Sequence, residues 1–342
     1  MNRSSRIASV VLGGGLLCVV LPLLAADAPV TPDLSMDVYA TPAQRVDIGG
    51  GRHLNLRCSG SGSPTVLLEI GQGMTSMSWR KVQPLLASHS RVCSYDRAGL
   101  GFSDAGPSPR SAQAAADDLH ALVRTAPIQT PLVLVGHSMG ASIVRLYAAA
   151  HADEVAAIVL VDPVVTDLAS KSPEVSAQEA PMVAENSAGT RHCVELAKSG
   201  ALATMTPPAE GCVHPAYPGF SQKLNDSIHA RDINRTFWEA ALSEREADAA
   251  NSAAVHALKP LGKIPLIVLS ADGTNAHLPP DLRKAADAAY RDGHKRIAAS
   301  STRGRLVAVE HSSHNVHEDR PDAIADAVAQ AIAQIGGGKR SL

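Results

Sequence analysis

The stretch Leu132-Val133-Leu134-Val135-Gly136-His137-Ser138-Met139-Gly140 decides how the rest of this chain reads. Four consecutive apolar residues predict a strand buried on both faces. Residues 138–150 predict a helix. Between the two sits the pattern Gly-x-Ser-x-Gly, in the strand-turn-helix context that exposes a reactive serine. So sharp a turn leaves no room for a bulky Cβ two residues before or two residues after the serine, hence Gly136 and Gly140. It strains the serine backbone, lifts the hydroxyl above the sheet and sets it at a helix N-terminus, which favours developing negative charge. Ser138 is therefore the candidate nucleophile. Gly and Ser are common, so the pentapeptide alone carries little; the strand before it, the helix after it and matching pieces elsewhere carry more.

The composition bounds the remaining readings. A chain of 342 residues, 45% of them hydrophobic, has enough apolar side chain for a sizeable core. A formal net charge of −2 and an aromatic content of 3% give no basis for nucleic-acid binding, which needs a basic surface or stacking platforms. The N-terminus reads as an export signal: Arg3 and Arg6, then an uncharged apolar run over residues 7–24, then the small residues Ala25, Ala26 and Ala28. Cleavage after Ala26 removes residues 1–26, and an uncleaved anchor is the alternative. Cys18 follows Leu17, not the small residue that precedes a lipidated cysteine. Export would leave Cys58, Cys93, Cys193 and Cys212 in an oxidising compartment, where four cysteines allow three pairings. Cys193 and Cys212 share one segment and are suited to closing a short loop.

Along the chain, residues 27–43 read as an extended lead-in. Residues 45–48 and 52–58 read as two strands around Gly49-Gly50-Gly51. Further strands are expected at 65–70, 91–95, 132–135 and 156–161, with helices at 79–87, 112–125 and 138–150 between them. From there to about residue 260 the pattern turns irregular, rich in Pro, Ser, Glu and Ala, with helical stretches such as residues 235–250 that have no strand partner. Alternation resumes with a strand at 265–270, a helix at 282–290, a strand at 306–310 and a helix at 321–335; the tail after it reads as flexible. Alternating strands and helices predict an α/β architecture, a mostly parallel sheet covered on both faces. Ligands bind outside the carboxyl ends of such strands. Residues 164–260, inserted after the sixth strand, would then lie over the serine as a lid.

With these motifs in order, the chain resembles the α/β-hydrolase superfamily, and most of all its small capped esterase-type members. The resemblance rests on Leu67-Leu68-Glu69-Ile70-Gly71-Gln72-Gly73, Tyr95-Asp96-Arg97-Ala98-Gly99-Leu100-Gly101-Phe102-Ser103, the Ser138 turn, Leu160-Val161-Asp162-Pro163 and Ser313-His314-Asn315. It spans roughly residues 45–335 and matches residues 164–260 poorly. It implies the α/β-hydrolase fold, with an eight-stranded sheet, a core of residues 44–163 and 261–336, and a lid of residues 164–260. It also makes the strands of Cys58 and Cys93 antiparallel neighbours, so that these two cysteines can pair.

A serine hydroxyl needs a base. Of His311, His314 and His317 after the last strand, His314 best matches the pattern the resemblance supplies, with Ser313 in place of the usual glycine. His311 and His317 then read as surface loop residues; a metal site of all three lacks a fourth donor. Two aspartates compete to orient His314. Asp162 stands at the tip of the sixth strand and is favoured; Asp272 follows the seventh, near the commoner location. By resemblance, the backbone N–H groups of Met139 and Gln72 form the oxyanion hole. Glu69 reads as a buried partner of Arg97, and residues 96–101 as scaffold. Met74, Met77 and Trp79 read either as the lining of an apolar pocket or, for Trp79, as core. The implied activity is that of an exported serine hydrolase acting on an ester-like small molecule, with no cofactor, metal, nucleic acid or stable membrane partner. A serine at the turn argues against the aspartate-nucleophile dehalogenases and epoxide hydrolases of the superfamily. A binding protein that has kept the pocket, or another serine-dependent activity of the fold, is the rival reading.

Overall fold

The structure is a computed structural model and describes residues 31–205 and 211–337. The proposed signal or anchor over residues 1–26 and the last residues of the tail lie outside these. No helix among the described residues is long and apolar enough to cross a membrane.

Eight strands form one sheet in the order β1-β2-β4-β3-β5-β6-β7-β8. They are β1 (Gln44–Asp47), β2 (His53–Ser59), β3 (Val66–Glu69), β4 (Val92–Tyr95), β5 (Leu132–His137), β6 (Val155–Val161), β7 (Leu266–Ala271) and β8 (Gly304–Val309). β2 runs antiparallel to β1 and β4, and all other neighbours are parallel. The period of two along each strand sorts its apolar residues between the faces. Leu132, Leu134, Ile158 and Leu160 join Leu119, Leu122, Ile143 and Val144 of helices α2 (Ala112–Thr125) and α3 (Met139–Ala150). Val133, Val135, Val159 and Val161 join Leu86 of α1 (Gln83–Ala87) and Ile324 and Val328 of α11 (Pro321–Gly337). Each such side chain taken fully out of water contributes about 1.5–3 kcal/mol, so β5 and β6 are held from both sides. Helix α9 (Pro280–Ala298) packs beside β7 and β8, and the short α10 (Val316–Asp319) leads into α11.

The glycines of the β5–α3 turn are required by contact. A Cβ on Gly136 would lie 2.6 Å from the Gly140 carbonyl oxygen. One on Gly140 would lie 2.5 Å from the Glu69 carbonyl oxygen and 2.8 Å from that of Ile70. The first turn of α3 therefore rests directly on the end of β3.

Two expectations need correction. Residues 27–43 are not simply extended: Leu34–Ala40 forms a 3₁₀ helix, started by Asp33, whose side chain accepts from the Ser35 N–H at 2.9 Å. The stretch between β6 and β7 is more helical than the sequence shows: the helical stretch expected at 235–250 is present, and most of the rest is helical as well. It contains α4 (Leu168–Lys171), α5 (Pro173–Ser199), α6 (Gln222–Asp232), α7 (Arg235–Glu246) and α8 (Asp248–His256). α5 runs for 27 residues, has Pro181 in its interior and buries only Val175, Thr190, Cys193 and Val194. Without an apolar stripe it has no helical signature in the sequence; packing against α7 and the Cys193–Cys212 disulfide hold it. The second disulfide joins Cys58 and Cys93, which face each other across β2 and β4. Two disulfides fit an oxidising, exported environment.

Gly140→Ala should lower stability by about 1–3 kcal/mol, the usual cost of overpacking, because the new methyl meets backbone that cannot move aside. A urea unfolding curve superimposable on wild type would contradict that contact.

Candidate active site

Residues from the carboxyl ends of three strands come together. Ser138 follows β5 with φ 53° and ψ −120°, the strained backbone the turn demands. Its N–H donates to the Val161 carbonyl at 3.1 Å, so β5 and β6 end side by side. Asp162, the next residue after β6, also has positive φ (42°) and is buried. Its Oδ2 lies 2.7 Å from His314 Nδ1. Two donors fix the carboxylate: the Ala271 N–H to Oδ1 at 3.0 Å and the Thr274 hydroxyl to Oδ2 at 2.6 Å. Asp272 is turned elsewhere and accepts from the N–H groups of His311 and Ser312 at 3.1 and 3.2 Å. Of the two aspartates, Asp162 reaches the histidine. Ser313 is tied to Asp319 through both its N–H and its hydroxyl.

The loop after β3 is pinned by one side chain. Arg97, 2% exposed, donates from Nη1 to the Ile70 carbonyl and from Nη2 to the Gly71 carbonyl, each at 2.7 Å. The same guanidinium donates to Glu69 at 2.7 Å and to both oxygens of Glu244, on α7, at 2.6 and 2.9 Å. Glu244 in turn accepts from the Gly73 N–H at 2.8 Å, and Tyr95 donates its hydroxyl to Glu69. Burial works against the Arg97 charge, but the Glu244 and Glu69 carboxylates outweigh it and hold the guanidinium above its ordinary value. Burial pushes the Glu69 carboxyl up, with Arg97 opposing. Among the described residues, the backbone N–H groups of Gln72 and Met139 have no hydrogen-bond partner. The Gln72 side chain is used, donating to Asp248 of α8 at 3.0 Å.

A family model described as the alpha/beta hydrolase family matches residues 66–327. This chain belongs to that family. The uncharacterized protein YqjL of Bacillus subtilis is 26% identical over 267 residues, covering 78% of this chain and 82% of YqjL. Among solved structures, a thermophilic esterase from Thermogutta terrifontis superposes with a TM-score of 0.59 at 20% identity, covering 86% of this chain and 99% of the esterase. The epoxide hydrolase CorEH does so with a TM-score of 0.54 at 20% identity, covering 86% and 99%. At such identities the structural likenesses show the fold alone.

Several residues of this alpha/beta hydrolase stand apart from their sequence reading. His311 is exposed, as expected, but His317 is fully buried, edge-on to Trp79 at 5.7 Å and to His137 at 4.7 Å between ring centroids. Burial lowers the His317 imidazole to about 4. Trp79 is core. Met74 and Met77 do line a groove of about 330 Å³ beside Gly73, together with Phe220, Phe237, Arg80 and Glu318. Glu244, Thr274 and His137 had no signal in the sequence, because each acts through partners distant along the chain. At the opposite, amino edge of the sheet, His120, His151 and Glu154 bring their donor atoms within 4.8 Å of one another. The two rings are stacked 3.7 Å apart and 5° from parallel, so their lone pairs lie in separate parallel planes and cannot both point at one ion.

Two outcomes follow from burial. Glu244→Ala leaves Arg97 with one carboxylate where it had two, and chemical denaturation should register a loss of about 3–5 kcal/mol, as for other broken buried pairs. His317 is held neutral in the folded chain with a value of about 4 against an ordinary 6.5, so the unfolded chain binds more protons between those pH values. Stability from this residue is complete above pH 6.5 and is lost as pH falls toward 4. His317→Phe should flatten that part of a Tm-versus-pH curve; an unaltered slope would show that His317 is not buried neutral.

Proposed function

We propose that this alpha/beta hydrolase is an exported serine hydrolase that cleaves an ester-like bond of a small or medium, largely apolar substrate. The observation that carries the reading is the 2.7 Å contact of His314 Nδ1 with the buried Asp162, beside the strained Ser138. Asp162 holds the imidazole with Nδ1 protonated and leaves Nε2 to take a proton, stabilising the imidazolium without itself being protonated. Ser138 Oγ bonds to the substrate carbonyl carbon as its proton passes to His314 Nε2. The N–H groups of Gln72 and Met139 receive the charge on the carbonyl oxygen, where each such donor contributes about 2.7–4 kcal/mol to the transition state. The ester C–O bond then breaks, and His314 returns the proton to the departing alcohol oxygen. In the second half, His314 takes a proton from water, hydroxide adds to the acyl carbon and Ser138 is regenerated with release of the acid.

The groove beside Gly73 is mixed: Met74, Met77, Phe220 and Phe237 support an apolar substrate portion, and Arg80, Arg231, His214 and Glu318 add charged and polar groups to its lining. The helices of residues 164–260 supply Glu244 and Asp248 to the Gly71-Gln72-Gly73 loop, which supports their role as a lid over the site. The two disulfides support export.

A fluorophosphonate probe should label the wild-type chain and fail to label Ser138→Ala. On p-nitrophenyl esters, Asp162→Asn should lower kcat on the order of 10⁴-fold, as expected when the base loses its orienting carboxylate, while Asp272→Asn keeps its activity. Loss of activity in Asp272→Asn alone would transfer the acid role to that residue. An unlabelled wild-type chain would point to a binding protein.

A further inference from the structure

His137 is the residue between Gly136 and Ser138, and it is 1% exposed. Its Nε2 lies 2.9 Å from the main-chain carbonyl oxygen of His314. A carbonyl can only accept, so Nε2 carries the hydrogen and Nδ1 carries the lone pair. Nδ1 has no hydrogen-bond partner among the described residues. It faces Gly71: a Cβ built on that residue would lie 3.0 Å from Nδ1 and 3.3 Å from Cε1 of the same ring. The His137 ring thus lies against the loop after β3, where a side chain on Gly71 would crowd it. The remaining side of the ring is taken by His317, and the His314 ring lies 4.8 Å away, centroid to centroid. One imidazole therefore touches the nucleophile by covalent neighbourhood, the loop of Gln72 by packing and His314 by a hydrogen bond to its backbone.

We propose that His137 is a positioning residue, whose Nε2–H fixes the peptide of His314 so that the imidazole, held at its other end by Asp162, cannot swing away from Ser138. This rests on the serine-hydrolase reading given above. The His314 side chain projects from a loop joining β8 to α10, and a loop alone does not hold a ring to the tolerance that proton transfer needs. Asp162 fixes Nδ1 only; a second tether on the backbone removes the freedom that a single hydrogen bond leaves. Burial keeps His137 neutral, well below its ordinary value, and the neighbouring His314 and His317 reinforce this. The tether therefore survives when His314 itself becomes charged during turnover.

The test compares His137→Gln with His137→Leu. The glutamine amide nitrogen is the same number of bonds from Cβ as Nε2 and can donate to the same carbonyl; leucine fills the space without a donor. The readouts are the second-order rate of fluorophosphonate labelling, kcat and KM on a p-nitrophenyl ester, and Tm. His137→Leu should lose about 10²-fold in labelling rate and kcat, the scale of an ångström-level misplacement, with KM little changed. His137→Gln should recover most of that loss although its Tm is no higher than that of the leucine variant. Equal activity in the two variants, or losses that follow Tm, would overturn the proposal and leave His137 a packing residue. Should neither variant fold, ¹⁵N-histidine NMR of the wild-type chain decides: an Nε2–H tautomer of His137 sustains the proposal and an Nδ1–H tautomer sinks it. A wild-type chain that resists the probe would remove the serine-hydrolase reading itself, a result distinct from equal labelling of wild type and His137→Leu.

Discussion

The buried guanidinium of Arg97 is the constraint on which the upper part of this molecule depends. It bonds at once to the strand that starts the loop after β3, to two carbonyls of that loop, and to a helix that enters the fold nearly 150 residues later. A cation taken out of water in this way is tolerable only when its hydrogen bonds are made and its charge is matched. Glu69 and Glu244 do both. The consequence is mechanical: the loop cannot move without unpairing Arg97, and α7 cannot lift without doing the same. Glu244 also accepts from the Gly73 N–H and so ties α7 to the loop a second time.

Against this fixed loop the sheet delivers the other parts. β5 and β6 are clamped from both faces by apolar side chains, and their carboxyl ends each carry a non-glycine residue at positive φ, Ser138 and Asp162. Local strain of about 1–3 kcal/mol per residue persists where the surroundings over-determine the backbone. Here the surroundings are two buried strands, and strain at their tips aims a hydroxyl and a carboxylate. The helices between β6 and β7 do not form a detached cap. α7 and α8 are bound to the core through Glu244, through Ser243, which accepts from the Arg110 N–H, and through Asn251, which accepts from the Ala112 N–H. α6 instead lies against the 3₁₀ helix near the N-terminal end of the described chain.

Much of the fold was legible because buried strands and a glycine-bounded serine leave local marks. The order of elements along the chain and the Gly136–Gly140 spacing could be read from short stretches, whereas Glu69 offered only the expectation of a basic partner such as Arg97. The long α5 could not: its alanines, serines and glutamates carry no periodic apolar face, and Pro181 reads as a break. His317 was misread as a surface residue because a histidine three positions after another in a loop gives no sign of which one turns inward against Trp79. The sequence favoured Asp162 over Asp272 without separating them in kind, each being an aspartate directly after a buried strand. They are told apart by partners: Thr274 and the Ala271 N–H hold Asp162 toward His314, whereas two loop N–H groups hold Asp272 away from it.

By itself, then, the sequence determined what is written in neighbours along the chain: the parallel α/β layering, the strained serine turn, and the set of residues from which a site could be made. Tertiary structure alone decided which carboxylate meets His314, that Glu244 completes the Arg97 clamp, and that His137 bonds the backbone of His314. The reason is physical. Backbone geometry and burial periodicity act over a few residues, whereas a hydrogen bond between side chains more than a hundred positions apart exists only after the strands that carry them have packed.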